Sequence, residues 1–276
     1  MKQYKDHVAA ITGAGSGMGR ELARLLAAEG CHLALCDVDE DGLAQTAASV
    51  NPGVTVTQHQ VDVGERDAIY TWAEHVLAEH GRVDLLFNNA GVALSGTLEG
   101  STQANLEWIT NINYWGVVHG CRAFLPALRV SGRGQIVNTS SVSGLIAQPG
   151  MGAYNATKFA VRGFSEALRM ELELEKAAVG VTCVHPGGIK TAIARKARFD
   201  PSVQRLSQQD EASAKQKFEE LFITSADKAA RTILKAARKN KARVLVGPDA
   251  VAIDLIQRLL PTGYQALVKK GFARLQ

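Results

Sequence analysis

A tyrosine and a lysine stand four positions apart in the segment AYNATKFAV, as Tyr154 and Lys158. Four residues make about one helical turn, so both side chains project from one face if the segment is helical. A free tyrosine titrates at about 10, and an ammonium group beside it favours the phenolate. The pair can therefore perform acid/base chemistry near neutral pH. Taken alone, the spacing also fits two half-exposed residues on an ordinary helix.

A glycine-rich turn at residues 13–19 follows the first apolar run and precedes a helical segment. Glycines let a backbone turn tightly and approach a ligand, and a helix N-terminus offers N–H groups to a pyrophosphate. The strict GxGxxG spacing fails because Met18 stands at the third position, so the segment reads TGxxxGxG. The turn predicts a dinucleotide-binding loop, with a purely structural turn as the alternative.

Asp37 ends the second apolar run, where an acidic side chain can accept hydrogen bonds from both hydroxyls of an adenosine ribose. A 2′-phosphate would be repelled there, and residues 13–19 contain no lysine or arginine to offset the repulsion. The sequence therefore favours NAD over NADP as the cofactor. The alternative is a solvated acidic residue that opens the DVDED run.

Short apolar runs recur along the chain and read as buried strands. They occupy residues 7–12, 32–36, 54–59, 83–88, 135–139, 179–184 and 243–246. The segments between the first six have apolar residues at helical spacing. Since parallel strands need crossover connections, which are usually helical, this alternation predicts an α/β fold with helices on both faces of a parallel sheet.

Length and composition limit the class of protein. The 276 residues fit one large α/β domain over 1–276, although two domains are conceivable at this length. Four cysteines without a CxxC pair predict reduced thiols and a cytoplasmic location. No apolar stretch has the length of a signal peptide or a membrane span. The seven histidines are scattered, so we expect no metal site.

The net charge of +4 hides an asymmetry along the chain. Residues 1–189 have 13 basic and 19 acidic side chains, whereas residues 190–276 have 18 and 8. The basic part begins with a polar insertion at about 190–226, with weak helical periodicity and no strand pattern, and ends with a helical extension at about 248–276. Aromatic residues do not interleave with the basic ones, so we expect no nucleic-acid binding. The terminal helices could contact a membrane surface, but packing against a second subunit is the expectation.

Together the motifs resemble the short-chain dehydrogenase/reductase family, in its ordinary single-domain branch. They are TGAGSGMG (12–19), Asp37, Asp62, NNAG (88–91), Asn113 in NINYWG, Ser141 in VNTSSVSG, YNATK (154–158) and PGGIKT (186–191). Their order and spacing follow that family across about 180 of the 276 residues. The resemblance implies a doubly wound, Rossmann-like parallel sheet of about seven strands and hydride transfer between a nicotinamide and a carbonyl carbon.

The resemblance also implies roles for individual residues. Tyr154 gives or takes the proton at the substrate oxygen, and Ser141 hydrogen-bonds that oxygen. Lys158 lowers the pKa of Tyr154 and holds the nicotinamide ribose, while Asn113 anchors a water in a proton relay. The implied cofactor-binding residues are Gly13, Ser16, Gly17, Met18, Gly19, Asp37, Asp62, Val63, Asn89, Ala90, Gly91, Tyr154, Lys158, Pro186, Gly187, Ile189 and Thr191.

The substrate pocket of the family comes from three stretches, and the first two contain no arginine or lysine here. We expect an apolar pocket for an uncharged or lipophilic alcohol or ketone. Its substrate-binding residues would be Ser141, Leu145, Met151 and Tyr154. The alternative is a substrate with a carboxylate or a CoA phosphate, bound by Arg195, Lys196 and Arg198 of the insertion.

The main hypothesis is an NAD(H)-dependent oxidoreductase, a homodimer or homotetramer, that interconverts a secondary alcohol and a ketone. An enoyl reductase is disfavoured, because that relative spaces its tyrosine and lysine more widely. A regulator that senses redox state by binding NAD without turnover is the alternative from another class. The complete set of Ser141, Tyr154 and Lys158 argues against it. His185, which precedes PGGIKT, is interpreted as structural because no carboxylate or second histidine has ligand spacing near it.

Overall fold

The computed structural model describes residues 4–208 and 210–273, and within them a parallel sheet of seven strands forms the centre. Four further strands of two residues each lie outside this sheet. The strands are β1 (Val8–Thr12), β2 (His32–Asp37), β3 (Val56–Gln60), β4 (Leu85–Asn88), β5 (Leu94–Ser95), β6 (Gly134–Thr139), β7 (Val179–Pro186), β8 (Ile189–Lys190), β9 (Arg198–Phe199), β10 (Thr224–Ser225) and β11 (Arg243–Val246). The order in the central sheet is β11-β7-β6-β4-β1-β2-β3.

Helices connect the strands as crossovers. They are α1 (Gly17–Ala28), α2 (Glu40–Ala48), α3 (Arg66–His80), α4 (Gln103–Thr110), α5 (Gly116–Ser131), α6 (Gly152–Leu174), α7 (Gln204–Ser207), α8 (Glu211–Glu220), α9 (Ala226–Arg238), α10 (Pro248–Leu259) and α11 (Tyr264–Ala273). A single π-helical turn, Asn111–Trp115, joins α4 to α5. Short 3-10 turns occur at Val142–Gly144 and Pro201–Val203.

The two faces of the sheet are covered by different helices. On one face, α1 and α9 pack Leu22, Leu26 and Ile233 against the buried strands. On the other face, α3, α5 and α6 contribute the second apolar core, in which Trp72 meets Phe124 edge to face. The prediction of a doubly wound, Rossmann-like α/β sheet with helices on both faces is confirmed.

The strand order reverses between β1 and β4, which are parallel neighbours in the middle of the sheet. At such a reversal the connections leave in opposite directions, so a crevice opens beyond the carboxyl ends of the two strands. The glycine-rich turn follows β1 and the NNAG segment follows β4. The fold thus brings the two motifs to the same edge of the sheet.

The segment at 190–226 differs from its sequence pattern, because it holds strands as well as helices. β9 runs parallel to β5, and β10 pairs with β8. A two-residue strand is too short to show any periodicity, so no strand pattern preceded it in the sequence. The pairing of β9 with β5 fixes the insertion beside the segment that follows NNAG.

All four cysteines are buried free thiols. Burial raises the pKa of Cys121 and of Cys183 to about 12, and it raises the pKa of Cys31 and Cys36 as well. Among the described residues, no helix combines the length and the apolar composition that a membrane crossing requires. In the same part of the chain, no cluster of three or more histidine, cysteine or acidic residues could hold a metal ion.

Candidate active site

Hydrogen bonds join the glycine-rich turn to the end of β4. The Thr12 hydroxyl accepts the main-chain N–H groups of Asn89 and Ala90, both at 3.0 Å. The Asn89 side-chain amide donates to the carbonyls of Thr12 and Gly13 at 3.0 and 3.2 Å. These contacts hold the crevice between β1 and β4 in one geometry.

Two positions in the turn, Gly13 and Gly19, have room only for glycine. Gly13 adopts φ +65°, and a Cβ there would lie 2.8 Å from the Cα of Ala90. A Cβ on Gly19 would lie 2.0 Å from the Gly13 carbonyl oxygen. The main chain therefore forms a loop without side chains at these two positions, at the start of α1 and next to Ser16, Gly17 and Met18. We call this loop the cradle. A cradle of this kind at a helix N-terminus fits the pyrophosphate of a dinucleotide.

Asp37 at the end of β2 faces this cradle. Its carboxylate accepts the N–H of Gly15 at 2.9 Å and the N–H of Asp39 at 3.1 Å. Arg20, the first cation after the glycine-rich turn, is bonded to Thr46 and to the Gly15 carbonyl. The acidic side chain is thus fixed by main-chain donors.

Asp62 and Val63 lie beyond the end of β3. The Asp62 carboxylate accepts the Gly64 N–H at 2.8 Å and is exposed. Val63 is buried, and a Cβ on Gly116 would lie 3.1 Å from its side chain. The structure places both residues at the carboxyl edge of the sheet.

Tyr154 and Lys158 lie in the first two turns of α6 and are both buried. The Lys158 ammonium lies 5.7 Å from the centre of the Tyr154 ring and donates to the Thr139 carbonyl at 3.1 Å. The Ser141 side chain, just after β6, lies close enough to the Tyr154 phenol to lower its pKa. Predicted as a set from their spacing in the sequence, the three residues do meet in the folded chain.

Burial is the main influence on the electrostatics of Tyr154 and Lys158. Burial raises the pKa of Tyr154, and the Ser141 side chain offsets only part of that rise. Burial also lowers the pKa of Lys158 to about 8. Desolvation therefore disfavours the charged form of both groups.

Asn113 lies in the π-helical turn and is fully buried. Its side-chain oxygen accepts the Val92 N–H at 2.8 Å, and its amide nitrogen donates to the Val92 carbonyl at 2.9 Å. A Cβ on Gly91 would lie 3.3 Å from both Asn113 Oδ1 and Lys158 Nζ. Asn113 therefore fixes the segment after NNAG against the helix that bears Tyr154.

The PGGIKT segment closes the other side of the crevice. The Gly188 N–H donates to the Asp249 carboxylate at 2.6 Å, and a Cβ on Gly187 would lie 2.0 Å from the same oxygen. A Cβ on Gly17 would lie 2.9 Å from the Thr191 side chain. The segment thus contacts both the start of α1 and the first turn of α10.

A cavity of about 300 Å³ lies among these elements. The predicted site residues that line it are Met18, Asn89, Gly91, Ser141, Tyr154, Lys158, Pro186, Gly187, Ile189 and Thr191. Leu145 and Met151, predicted to bind substrate, do not line it. Leu145 is buried beside the 3-10 turn, and Met151 forms an isolated β-bridge with Gly96.

The basic side chains of the insertion are not part of this cavity. Arg195 pairs with Glu219 at 2.6 Å, and Lys196 lies 3.4 Å from Asp39. The Arg198 guanidinium stacks 3.7 Å from the centre of the Trp108 ring. Of the residues that line the cavity, only Lys158 and Asp249 carry a charged side chain.

Asp249 and Ile253 line the cavity although sequence reasoning did not select them. Both belong to α10, which starts directly after the last strand of the sheet. Residues just past the carboxyl end of a parallel strand face the ligand crevice, and this applies to Asp249 as it does to Asn89. Asp249 follows β11 by three positions, so this signal was present in the sequence.

Comparison with known proteins decides the family. The model of the family described as short chain dehydrogenase matches residues 7–202. The chain belongs to the short-chain dehydrogenase family. This family membership makes the chain an oxidoreductase.

Individual short-chain dehydrogenases resemble the whole chain or most of it. The oxidoreductase SadH of Mycobacterium tuberculosis (strain ATCC 25618 / H37Rv) is 46% identical over 276 residues, which cover 99% of this chain and 98% of SadH. The 3-ketodihydrosphingosine reductase of Bacteroides thetaiotaomicron is 39% identical over 181 residues, covering 66% and 63%. The crystal structure of a short chain dehydrogenase/reductase from Burkholderia phymatum in complex with NAD superimposes with a TM-score of 0.85 and 33% identity, covering 95% and 96%.

Proposed function

We propose that this oxidoreductase uses NAD(H) to interconvert a secondary alcohol and a ketone on an uncharged or lipophilic substrate. The observation that carries the proposal is a single cavity in which Ser141, Tyr154 and Lys158 face apolar side chains. The polar trio supplies the acid/base groups, and the apolar lining supplies the affinity for substrate.

The cradle at the start of α1 fits a dinucleotide cofactor, because its glycines leave the main chain without side chains at a helix N-terminus. Residues 13–19 would hold the pyrophosphate, and the segment from Pro186 to Thr191 would hold the nicotinamide end. Bound there, the nicotinamide supplies the hydride donor or acceptor. Asp37 favours NAD, since its carboxylate would repel a 2′-phosphate and the nearby Lys196 is paired with Asp39.

Tyr154 is the acid/base group of the proposal. In the direction of ketone reduction, a phenol with a raised pKa keeps its proton until the substrate oxygen gains charge. In the direction of alcohol oxidation, the Ser141 side chain and the Lys158 ammonium favour the phenolate that accepts the proton. Since both ends of the Asn113 side-chain amide are bonded to Val92, its contribution to a proton relay would come from its main-chain carbonyl.

The substrate class rests on the lining of the cavity. Ala93, Val142, Ile193, Leu221, Phe222 and Ile253 all border it. A carboxylate or a CoA phosphate would need a free cation, but Arg195, Lys196 and Arg198 already have partners outside the cavity. The Bacteroides relative is named a 3-ketodihydrosphingosine reductase, and this name points in the same direction.

The test is a panel of secondary alcohols and matching ketones, from short to long chains, each with NAD(H) and NADP(H). We expect turnover of apolar members with NAD, and a loss of at least ~1000-fold in kcat for Tyr154→Phe with NAD binding retained. The matched control is Tyr70→Phe, a half-buried tyrosine on α3 outside the cavity. Turnover of charged substrates alone would contradict the substrate class. NAD binding without turnover of any member would favour the redox-sensing regulator.

We also propose that the enzyme is a homodimer or homotetramer. The exposed face of α10 carries Val251, Leu255 and Leu259, each more than half exposed. An apolar helical face of this kind fits a contact with a second subunit. Light scattering after size-exclusion chromatography checks this, and a monomer at micromolar concentration would contradict it.

A further inference from the structure

His185 is fully buried in β7, next to the segment that closes the crevice. Its Nδ1 atom lies 2.9 Å from the main-chain oxygen of Ser141. A carbonyl oxygen can only accept a hydrogen bond, so Nδ1 carries the proton and donates. The imidazole therefore holds the backbone of the serine whose hydroxyl reaches Tyr154.

This contact extends the ladder between β6 and β7 by one residue. The Ser140 N–H donates to the Val184 carbonyl at 2.8 Å. One residue further along each strand, the His185 side chain contacts the Ser141 carbonyl. The chain then turns sharply into the 3-10 turn Val142–Gly144, so the carbonyl of Ser141 is fixed by a side chain at the point where the regular sheet ends.

The imidazole stays neutral in this position. Burial lowers the pKa of His185 to about 4, with Arg243 on β11 and Arg162 on α6 acting in the same direction and Glu166 on α6 opposing them. Its other nitrogen, Nε2, has no hydrogen-bond partner among residues 4–208 and 210–273. An acceptor buried without a donor costs free energy, so packing alone would favour an apolar side chain at this position.

We propose that His185 is a positioning residue, which sets the orientation of Ser141 toward Tyr154 through its Nδ1 hydrogen bond. The proposal rests on the proposed function, in which Ser141 binds the substrate oxygen. It extends the interpretation of His185 as a purely structural residue. The geometry explains why a polar ring with one unpartnered nitrogen lies where an apolar side chain would pack at lower cost.

Two substitutions separate positioning from packing. His185→Asn keeps an N–H donor near the place of Nδ1 but loses ring volume. His185→Phe keeps the ring volume, loses the donor and also removes the unpartnered Nε2. If packing is the role, the Phe variant is the more active; if positioning is the role, the Asn variant is the more active.

We expect a kcat lower by on the order of tenfold to a hundredfold in His185→Phe, and within about fivefold of the wild type in His185→Asn. The KM for NAD should be unchanged in both, because His185 does not line the cavity. The kcat of the Phe variant should also titrate at higher pH, since a displaced Ser141 hydroxyl no longer favours the Tyr154 phenolate. In urea unfolding, the Phe variant should be at least as stable as the Asn variant. An Asn variant no more active than the Phe variant would overturn the proposal.

A second measurement does not depend on turnover. The Ser143 N–H donates to the Ser141 hydroxyl at 3.1 Å, so movement of Ser141 exposes that amide. Hydrogen–deuterium exchange of a peptide spanning 141–146 should be faster in His185→Phe than in His185→Asn or the wild type. Equal exchange in all three chains would overturn the positioning role. If the wild type turns over no alcohol or ketone, the proposed function fails, and the exchange comparison still decides the role of His185.

Discussion

The carboxylate of Asp249 accepts the main-chain N–H of Gly188 at 2.6 Å, which ties the first turn of α10 to the loop between β7 and β8. Hydrogen bonds to charged groups contribute about 1.5–3 kcal/mol. We therefore expect Asp249→Ala to weaken NAD binding about tenfold or more, because it frees the loop proposed to hold the nicotinamide end. Calorimetric titration with NAD measures this.

Two control variants accompany Asp249→Ala. One is a conservative substitution at the same position, and the other removes a carboxylate elsewhere in the protein. Asp249→Asn retains an acceptor oxygen and should bind NAD within about threefold of the wild type. Asp227→Ala removes a surface carboxylate on α9 that pairs with Arg231, and it should have no effect. Equal losses in Asp249→Ala and Asp227→Ala would show that the tie to Gly188 has no part in cofactor binding.

Lys158 is a buried cation whose position costs stability. Burial lowers its pKa to about 8 from an unfolded value of about 10.5. The cost is fully present below pH 8, declines as the pH rises above the folded pKa, and vanishes only above the unfolded pKa of 10.5, where both states are neutral. We expect Lys158→Met to be inactive yet more stable than the wild type by about 1–3 kcal/mol at pH 7, with a smaller gain at pH 9.5. Urea unfolding at the two pH values measures the difference, and a gain that grows with pH would contradict the burial argument.

Asp84 is a fully buried carboxylate at the start of β4. Although burial opposes it, hydrogen bonds from Arg82, Arg133 and the Val8 N–H hold the pKa of Asp84 below its usual value. The stabilisation is present above the unfolded pKa of about 4 and is lost as the pH falls through the folded pKa. We expect Asp84→Asn to lower the free energy of unfolding by about 2–3 kcal/mol at pH 7.

The loss of unfolding free energy in Asp84→Asn should depend on pH. The difference in unfolding free energy between the wild type and Asp84→Asn should narrow at pH 3, because the carboxylate of the unfolded wild-type chain takes up a proton below about 4. Asp67→Asn is the control, since the Asp67 side chain is 93% exposed and its ion pair is with the exposed Arg66. Chemical unfolding of the three chains at both pH values checks the prediction, and a constant gap would count against it.

Asp37 should decide between the two nicotinamide dinucleotides. Asp37→Asn keeps the shape of the side chain but removes the charge that would repel a 2′-phosphate. We expect the ratio of kcat/KM for NADP to that for NAD to rise at least ~tenfold. Asp41→Asn, an exposed residue on α2, should leave the ratio unchanged. A wild type that already prefers NADP would contradict the proposed cofactor.

The central sheet could be predicted from the sequence because most of its strands are short apolar runs, although the edge strand β3 (VTQHQ) is mostly polar. β4 begins at Leu85 and β3 at Val56, two residues later than the pattern suggested. The strands β5, β8, β9 and β10 could not be predicted, since two residues carry no periodicity. The same holds for the π-helical turn around Asn113, whose sequence continues an ordinary helix.

For the site, spacing brought Tyr154 and Lys158 together correctly, but it could not indicate that burial raises the pKa of Tyr154. Spacing reports which side chains share a helical face, whereas the pKa depends on how completely the fold excludes water. Leu145 was expected in the cavity because it is apolar and lies in the right loop. The 3-10 turn after Ser141 buries it in the protein instead, and no sequence pattern sets the direction of such a turn.

The reactivity of the four buried thiols reports how often the folded chain opens. Cys36 and Cys183 lie within central strands, Cys121 lies in α5, and Cys31 directly precedes β2. With raised pKa values, the folded chain offers almost no thiolate to an alkylating reagent. Alkylation therefore requires a transient separation of strands from helices. The rate of alkylation under native conditions then measures how often the centre of the sheet opens.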